Sequence, residues 1–239
     1  MTSVDKQKIA DFLDLAGDFL GSGYKREPIN YQFDDNIPAK VEIPQTKNEY
    51  IDSIELVAKE IRDCKNCSLC EKRTNAVPGE GVSEPLVMVI GEGPGEEEDK
   101  QGRPFVGKAG LLLDKMLNAI GLSRNTNTFI ANVIKCRPPL NRDPRPEETT
   151  ACSRFLERQI TLLNPKFILV AGKVAANTLF KTDEPISKHR AKIMELTAGN
   201  KTYPLICTYH PAALLRSDDY KRPAWEDLKL LKSKLDTMR

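Results

Sequence analysis

Five cysteines are spaced so that they could share a metal. Cys64, Cys67 and Cys70 form a C-x2-C-x2-C run, and Cys136 and Cys152 follow much later. A C-x2-C pair sets two thiolates at a chelating bite, and four thiolates suit either tetrahedral zinc or an iron–sulfur cluster. One tight pair with two isolated members is not a zinc ribbon, which needs two tight pairs. The extended first run is closer to ferredoxin-type ligation, which places iron–sulfur ahead of zinc. Spacing alone leaves open which four of the five are ligands. Cys207 lies in an apolar run and reads as a small core residue. No secretory leader or long apolar segment is visible, so a cytoplasmic protein with reduced thiols and no membrane span is expected.

A second constellation is a glycine-rich acidic loop, Gly91-Glu92-Gly93-Pro94-Gly95, directly after an apolar run. It is not a G-x-G-x-x-G dinucleotide loop. Pro94 removes an amide donor, and the carboxylates Glu96, Glu97, Glu98 and Asp99 stand where a pyrophosphate would sit. Gly102 to Ala109 nearly matches a phosphate-binding loop, but alanine replaces the magnesium-binding hydroxyl and no strand directly precedes it. The glycines permit close backbone approach, Glu92 stands at the tip of the apolar run, and Phe105 offers an aromatic face. A flat heterocycle stacked on Phe105 while polar groups read its edge fits these residues better than a phosphate. Of two histidines, His189 lies in the polar run Lys188-His189-Arg190 and is expected in solvent. His210 precedes a proline at the end of another apolar run, which favours a functional role.

Alternating apolar runs and helical patterns supply the elements that must position these groups. Strands are expected at Leu86–Ile90, Phe129–Ile134, Phe167–Val170 and Leu205–Tyr209. Helices are expected at Ala109–Ile120, Pro146–Leu163, Lys173–Phe180 and Pro223–Leu235, and another at Asn48–Arg62 before the first cysteines. Strand–helix alternation means a parallel sheet, and its ligand crevice lies at the carboxyl ends of the strands. The glycine loop, Asn132 with Cys136, and His210 should therefore meet on one rim. Residues 1–23 read as an amphipathic helix able to pack on the body or dock a protein partner. Residues 24–46, with Pro28, Pro38 and Pro44, read as a linker, and 47–239 as the main domain. Residues 1–60 carry 7 Lys/Arg against 12 Asp/Glu, and the remainder 29 against 22. A basic body behind an acidic front is compatible with a polyanionic partner such as nucleic acid.

Four ordered segments resemble the iron–sulfur (family 4) uracil-DNA glycosylases: Gly91 to Asp99, Gly102 to Gly107, Asn132 to Pro139, and His210 to Arg216. The likeness covers roughly residues 50–238. It implies an α/β fold, a three-layer α/β/α sandwich around a four-stranded parallel central sheet. It implies hydrolysis of the N-glycosidic bond of deoxyuridine in DNA, leaving an abasic site for base excision repair by a monomeric enzyme. The resemblance selects Cys64, Cys67, Cys136 and Cys152 as ligands of a 4Fe-4S cluster and leaves Cys70 spare. Phe105 would stack on the extruded uracil, and the Asn132 amide would pair with its Watson–Crick edge. His210 would bond O2, where charge develops as the bond breaks. Leu214 or Leu215 would wedge into the vacated stack. Arg216 would meet phosphate, and Arg137, Arg142 and Arg145 would track the backbone.

The better-known branch has a water-positioning aspartate where Gly93 falls. Glu92 beside it is the candidate replacement, and Glu98 the candidate for the steric exclusion of thymine. Two other function classes compete. One is a weakly catalytic or non-catalytic module that holds uracil-containing or single-stranded DNA. The other is a nuclease or polymerase-associated domain with structural zinc, which leaves the glycine loop and His210 unexplained. A related subgroup that traps DNA covalently uses a histidine in an extra loop, and Pro138–Pro146 holds none.

Overall fold

The computed structural model describes residues 52–238, together with Ser3, Lys6, Gln7, Ala10 and Asp11. The chain divides into two units, Met1–Asn48 and Glu49–Arg239. In the first, the five described residues are helical, and Gln7 donates to Asp11 across one turn (3.1 Å). The rest of the expected 1–23 helix and the whole 24–46 linker lie outside the described residues.

The second unit is built on six strands: β1 (Glu80–Gly81), β2 (Val87–Gly91), β3 (Thr128–Asn132), β4 (Phe167–Ala171), β5 (Met194–Ala198) and β6 (Lys201–Thr208). Their order across the sheet is β1-β3-β2-β4-β6-β5. The pairings β2–β3, β2–β4 and β4–β6 are parallel, whereas β1 pairs with β3 and β5 with β6 antiparallel. The four expected strands pair in parallel at the centre, β3-β2-β4-β6, and two antiparallel edge strands that were not expected extend the sheet to a mixed six-stranded one. β1 is only two residues long, and β5 turns back on β6 through Gly199-Asn200, with Gly199 at φ 57°. Both are edge strands that mixed polar sequences can form, and neither has the apolar run that marks a buried strand.

β2, β3 and β4 are buried along their whole length, and helices cover both faces. Leu113 and Leu117 of α3 (Lys108–Asn118) and Leu228, Leu231 and Leu235 of α8 (Lys221–Asp236) pack with Val87, Val89 and Leu169. On the other face Leu156, Ile160 and Leu163 of α4 (Pro146–Leu163) and Ala175 and Ala176 of α5 (Lys173–Phe180) pack with Met88, Ile90 and Val170. α4 begins where expected. Pro146 takes the first position, the Arg145 N–H donates to Glu148 (2.8 Å), and Asn164 closes the other end in a left-handed conformation.

α1 (Ile54–Asp63) starts later than the periodicity predicts, because the Ser53 hydroxyl accepts from the Leu56 N–H (3.2 Å) and caps it there. Arg158 of α4 bridges Asp52 and Glu60 and fastens α1 to the sheet layer. Two short helices were not foreseen beside the rim: α2 (Glu96–Gln101) and α7 (Pro211–Arg216). A further turn, α6 (Ile186–His189), carries His189. That histidine is buried and stacks on Phe180 (5.3 Å, 23°), so the solvent expectation is corrected. Among the described residues no helix is long and apolar enough to cross a membrane.

Candidate active site

β2, β3, β4 and β6 all end on one rim. The register pairs Gly91 with Asn132, the last residues of β2 and β3. A side chain at Gly91 would meet Asn132 Oδ1 at 2.5 Å and the Phe105 ring at 2.6 Å, so its absence lets both groups close over the strand end. The Phe105 ring lies 5.5 Å from the His210 ring, centroid to centroid. These three side chains line one cavity of about 670 Å³ with Glu92, Glu98 and Arg216. The expected meeting of remote strand ends is what the structure places there.

Each group is held in place by the protein. Phe105 sits at φ 53°, a left-handed backbone that an L-residue adopts only when its surroundings impose it. Glu98 imposes part of it: its carboxylate accepts from the Val106 and Gly107 N–H groups (2.9 and 3.1 Å) and from the Gly95 N–H (3.1 Å). Buried Arg124 does the rest. It donates to the Pro104 and Phe105 carbonyls (2.9 and 3.0 Å) and pairs with Asp114. Gly110 is obligatory here, since a side chain would fall 1.8 Å from the Phe105 carbonyl oxygen. The acidic run read as repulsive to phosphate is thus the first turn of α2. Its Asp99 accepts the Thr74 N–H (2.9 Å) and is buried.

His210 ends the segment after β6 and caps α7. Its Nδ1 accepts the Ala212 N–H (3.1 Å), so the ring proton lies on Nε2 and is free to donate. Burial, with the nearby positive charge of Arg216, pushes its pKa down to about 4 against the opposing pull of Glu98. The imidazole is therefore neutral at physiological pH. Gly172, at φ 102°, makes room for it, since a side chain there would meet the His210 Cβ at 2.9 Å. Asn132 is 1% exposed, and its Oδ1 has no hydrogen-bond partner. A buried carbonyl oxygen without a donor is costly to leave unpaired, and Asn132 is among the residues that line the cavity.

Glu92 differs from its neighbours. Burial, with the charge of Asp143 added, pushes its carboxyl up to about 7. It can hold or release a proton near neutrality, as a base or water-orienting group must. Gly93 beside it cannot be the aspartate of the better-known branch without displacing buried Ile134, whose Cγ1 would lie 2.7 Å from a new side chain.

The expected DNA-facing residues separate into different roles. Leu215 is 51% exposed, whereas Leu214 is 3% exposed and packed, so of that pair only Leu215 projects. Arg216 faces the cavity. Arg142, expected to track the DNA backbone, lines it too, and its fork pairs with buried Glu148 (2.6 and 2.9 Å). Arg137 donates to Asn141 (2.7 Å). Sequence reasoning missed Arg124, Gly172, Tyr209 and Tyr220. The two tyrosines stack at 4.5 Å and line the cavity. The partners of Arg124 lie 10 to 44 residues away, and no local pattern announces such contacts.

The cysteines gather elsewhere. Cys64, Cys67, Cys70, Cys136 and Cys152 line one small cavity with Arg73 and Lys135. Arg73 donates to the Cys136 sulfur (3.0 Å), and backbone N–H groups of Leu69 and Lys135 reach Cys67 and Cys152. Among the described residues no three His, Cys, Asp or Glu converge tightly enough for a single metal ion. The sulfurs surround a space and not a point.

A family model described as the Uracil DNA glycosylase superfamily matches residues 78–229. The chain belongs to that superfamily. It is 44% identical over 187 residues to a type-4 uracil-DNA glycosylase of Sulfurisphaera tokodaii, covering 76% of this chain and 84% of that protein. It is 43% identical over 183 residues to the type-4 enzyme of Thermotoga maritima, covering 75% and 93%. A type-5 uracil-DNA glycosylase of Thermus thermophilus is 34% identical over 117 residues, 43% of this chain and 53% of that protein. The matched superfamily segment spans the whole rim, from β1 to α8.

Proposed function

We propose that this chain excises uracil from DNA by hydrolysing its N-glycosidic bond, leaving an abasic site, and that residues 47–239 are the catalytic domain. The convergence of Asn132, Phe105, His210 and Glu92 on one cavity carries this reading, and the type-4 relatives support it.

The base must first leave the stack, at a cost of a few kcal/mol. Phe105 then offers its face to the extruded ring. Asn132 Oδ1 accepts the N3–H, and its amide N–H donates to O4; cytosine presents the reverse pattern and is rejected. His210 donates through Nε2 to O2. As the C1′–N1 bond lengthens, its electron pair moves into the pyrimidine, and a neutral N–H aimed at O2 stabilises that growing charge. Glu92, when ionised, takes a proton from the attacking water and offsets positive charge on the sugar. Glu98 holds the Phe105 loop in register and narrows the cavity. Leu215 fills the gap left in the stack, and Arg216 meets phosphate.

Cys64, Cys67, Cys136 and Cys152 would hold a 4Fe-4S cluster, with Cys70 as a fifth thiol at the wall. The donor set fits: sulfurs enclose a cavity, and Arg73, Lys135 and two backbone amides face the negative charge that ligating thiolates carry. Such a cluster would join α1, the segment after β3 and α4 into one unit. Hydrolysis moves no net electrons, so its contribution is structural.

Incubation of the full chain with single- and double-stranded oligonucleotides bearing one uracil, followed by alkaline scission, tests the reading. Strand breaks at uracil alone are expected. Binding without an abasic site would instead make the chain a uracil-DNA-holding module.

A further inference from the structure

Leu140 is 97% exposed, the highest value among the large apolar side chains described. It also has φ 57°, in the left-handed region that a branched L-residue avoids. The other non-glycine residues there have local reasons. Asn164 and Lys181 terminate helices, Ala191 donates its N–H to buried Asp227 (3.1 Å), and Phe105 is clamped in the site. Asn141 belongs to a residue type that tolerates this conformation. Leu140 has no such reason within the free protein.

Its turn is nevertheless firmly fixed. The Asn141 and Arg142 N–H groups donate to the Pro138 and Pro139 carbonyls (3.1 and 3.3 Å). Arg137 holds the Asn141 side chain, and Arg142 is forked onto Glu148. Pro138, Asn141, Arg142 and Asp143 line the cavity, so Leu140 stands on its lip. This turn follows β3, whereas Leu215 follows β6. β2 and β4 lie between them in the sheet. Three strand spacings separate the two origins by roughly 14 Å, the span of about four stacked nucleotides in one strand.

We propose that Leu140 is a second apolar finger, which enters the DNA on the side of the extruded nucleotide opposite to Leu215. The inference rests on the uracil-excision reading and adds a duplex-opening contact to it. A strained, solvent-facing leucine beside a cavity for a flipped base finds its apolar partner in the exposed faces of neighbouring bases. Single strands have less stacking to open and need the finger less.

The test compares the full chain with Leu140→Ala and Leu140→Gly on uracil oligonucleotides carrying 2-aminopurine next to the uracil. Both variants are expected to lose about tenfold in kcat/KM on duplex and less than twofold on single strands, a difference of the size that one apolar contact supplies. The 2-aminopurine fluorescence rise on binding duplex should fall with it. Leu140→Gly relieves the backbone, so its Tm should not drop, which separates lost contact from lost fold. Unchanged duplex kinetics and fluorescence, or equal losses on both substrates, would overturn the proposal. If the unaltered chain binds without excising, the excision reading fails, while the fluorescence comparison still decides the role of Leu140.

Discussion

The rim cavity and the cysteine cavity draw on residues as close as Pro138 and Cys136, yet they are made differently. At the rim, two of the cavity-lining groups are locked by hydrogen bonds from the protein: Glu98 and Arg124 fix Phe105, and the Ala212 amide fixes the His210 tautomer. Such a site is complete before its ligand arrives, and a neutral heterocycle needs no countercharge. Among the cysteines, three segments bring sulfurs together against apolar Ile61 and Phe155, with the cations Arg73 and Lys135 alongside. That site is organised to contain negative charge. Binding energy at the rim should therefore appear in rate, and binding energy at the cysteines in stability.

The sharpest way to break this contrast is to remove a rim group. Asn132→Ala and His210→Ala should each lower kcat by about 10²- to 10³-fold in single-turnover excision, with Tm almost unmoved. A large fall in Tm with normal turnover per folded molecule would put these residues on the wrong side of the comparison.

Next in size is the pH profile. The proposed mechanism needs Glu92 ionised, and burial pushes its carboxyl up to about 7. kcat/KM should rise about tenfold per pH unit below that value and level off above it, and Glu92→Gln should flatten the curve at a low rate. His210, held near 4, should add no limb between pH 5 and 9. Stability runs the other way. Between pH 4.5, the ordinary glutamate value, and about 7 the folded chain keeps a proton that the unfolded chain has released, so the Glu92 contribution declines as pH rises. Glu92→Gln should therefore gain stability at pH 8, by up to about 3 kcal/mol, and gain none at pH 4.

The cysteine site should answer in the opposite currency. Cys136→Ser or Cys152→Ser should lose the brown charge-transfer absorbance and lower Tm by roughly 10 °C, the shift that a few kcal/mol produce in a domain of this size. Below that Tm, excision should fall far less than in Asn132→Ala. Colourless, zinc-loaded wild-type protein prepared without oxygen would remove the cluster from this account.

The same contrast explains what was legible in the chain. Strand ends with glycines and a histidine could be placed on one rim because parallel α/β topology dictates where they go, and Pro146 and Asn164 mark the limits of α4 locally. α2 was hidden because its carboxylates read as charge, when Glu98 and Asp99 point inward to backbone amides. His189 read as solvent from its polar neighbours, but Phe180 from the preceding helix covers it. β5 alternates exposed and half-buried residues with a glutamate among them, so it lacked the continuous apolar run that betrayed β2. What escaped were groups whose partners lie far away in sequence, such as Arg124 and Asp227, the latter fully buried between Arg190 and Thr208.

One such group joins the two cavities. Lys135 is buried beside Cys136, and its Nζ donates to the Asn132 carbonyl (2.7 Å) and to Gln159 Oε1 (2.6 Å). Gln159 in turn donates to the Pro78 carbonyl (2.7 Å), so one chain of bonds runs from the segment before β1 to the strand end that carries Asn132. Gln159→Leu keeps the volume and the apolar packing of α4 but leaves Lys135 with one fewer acceptor. Lys135 would keep its bond to the Asn132 carbonyl but lose the anchor that holds it there, so the strand end would be braced less firmly while the Asn132 amide stays. Excision should slow by a few-fold, carried by kcat and absent from KM for a short uracil oligonucleotide, because a brace on the strand end sharpens alignment more than it adds contacts. Equal kcat in Gln159→Leu and the unaltered chain would mean that the two cavities, though joined by hydrogen bonds, are energetically independent, and that the rim is held by Glu98 and Arg124 alone.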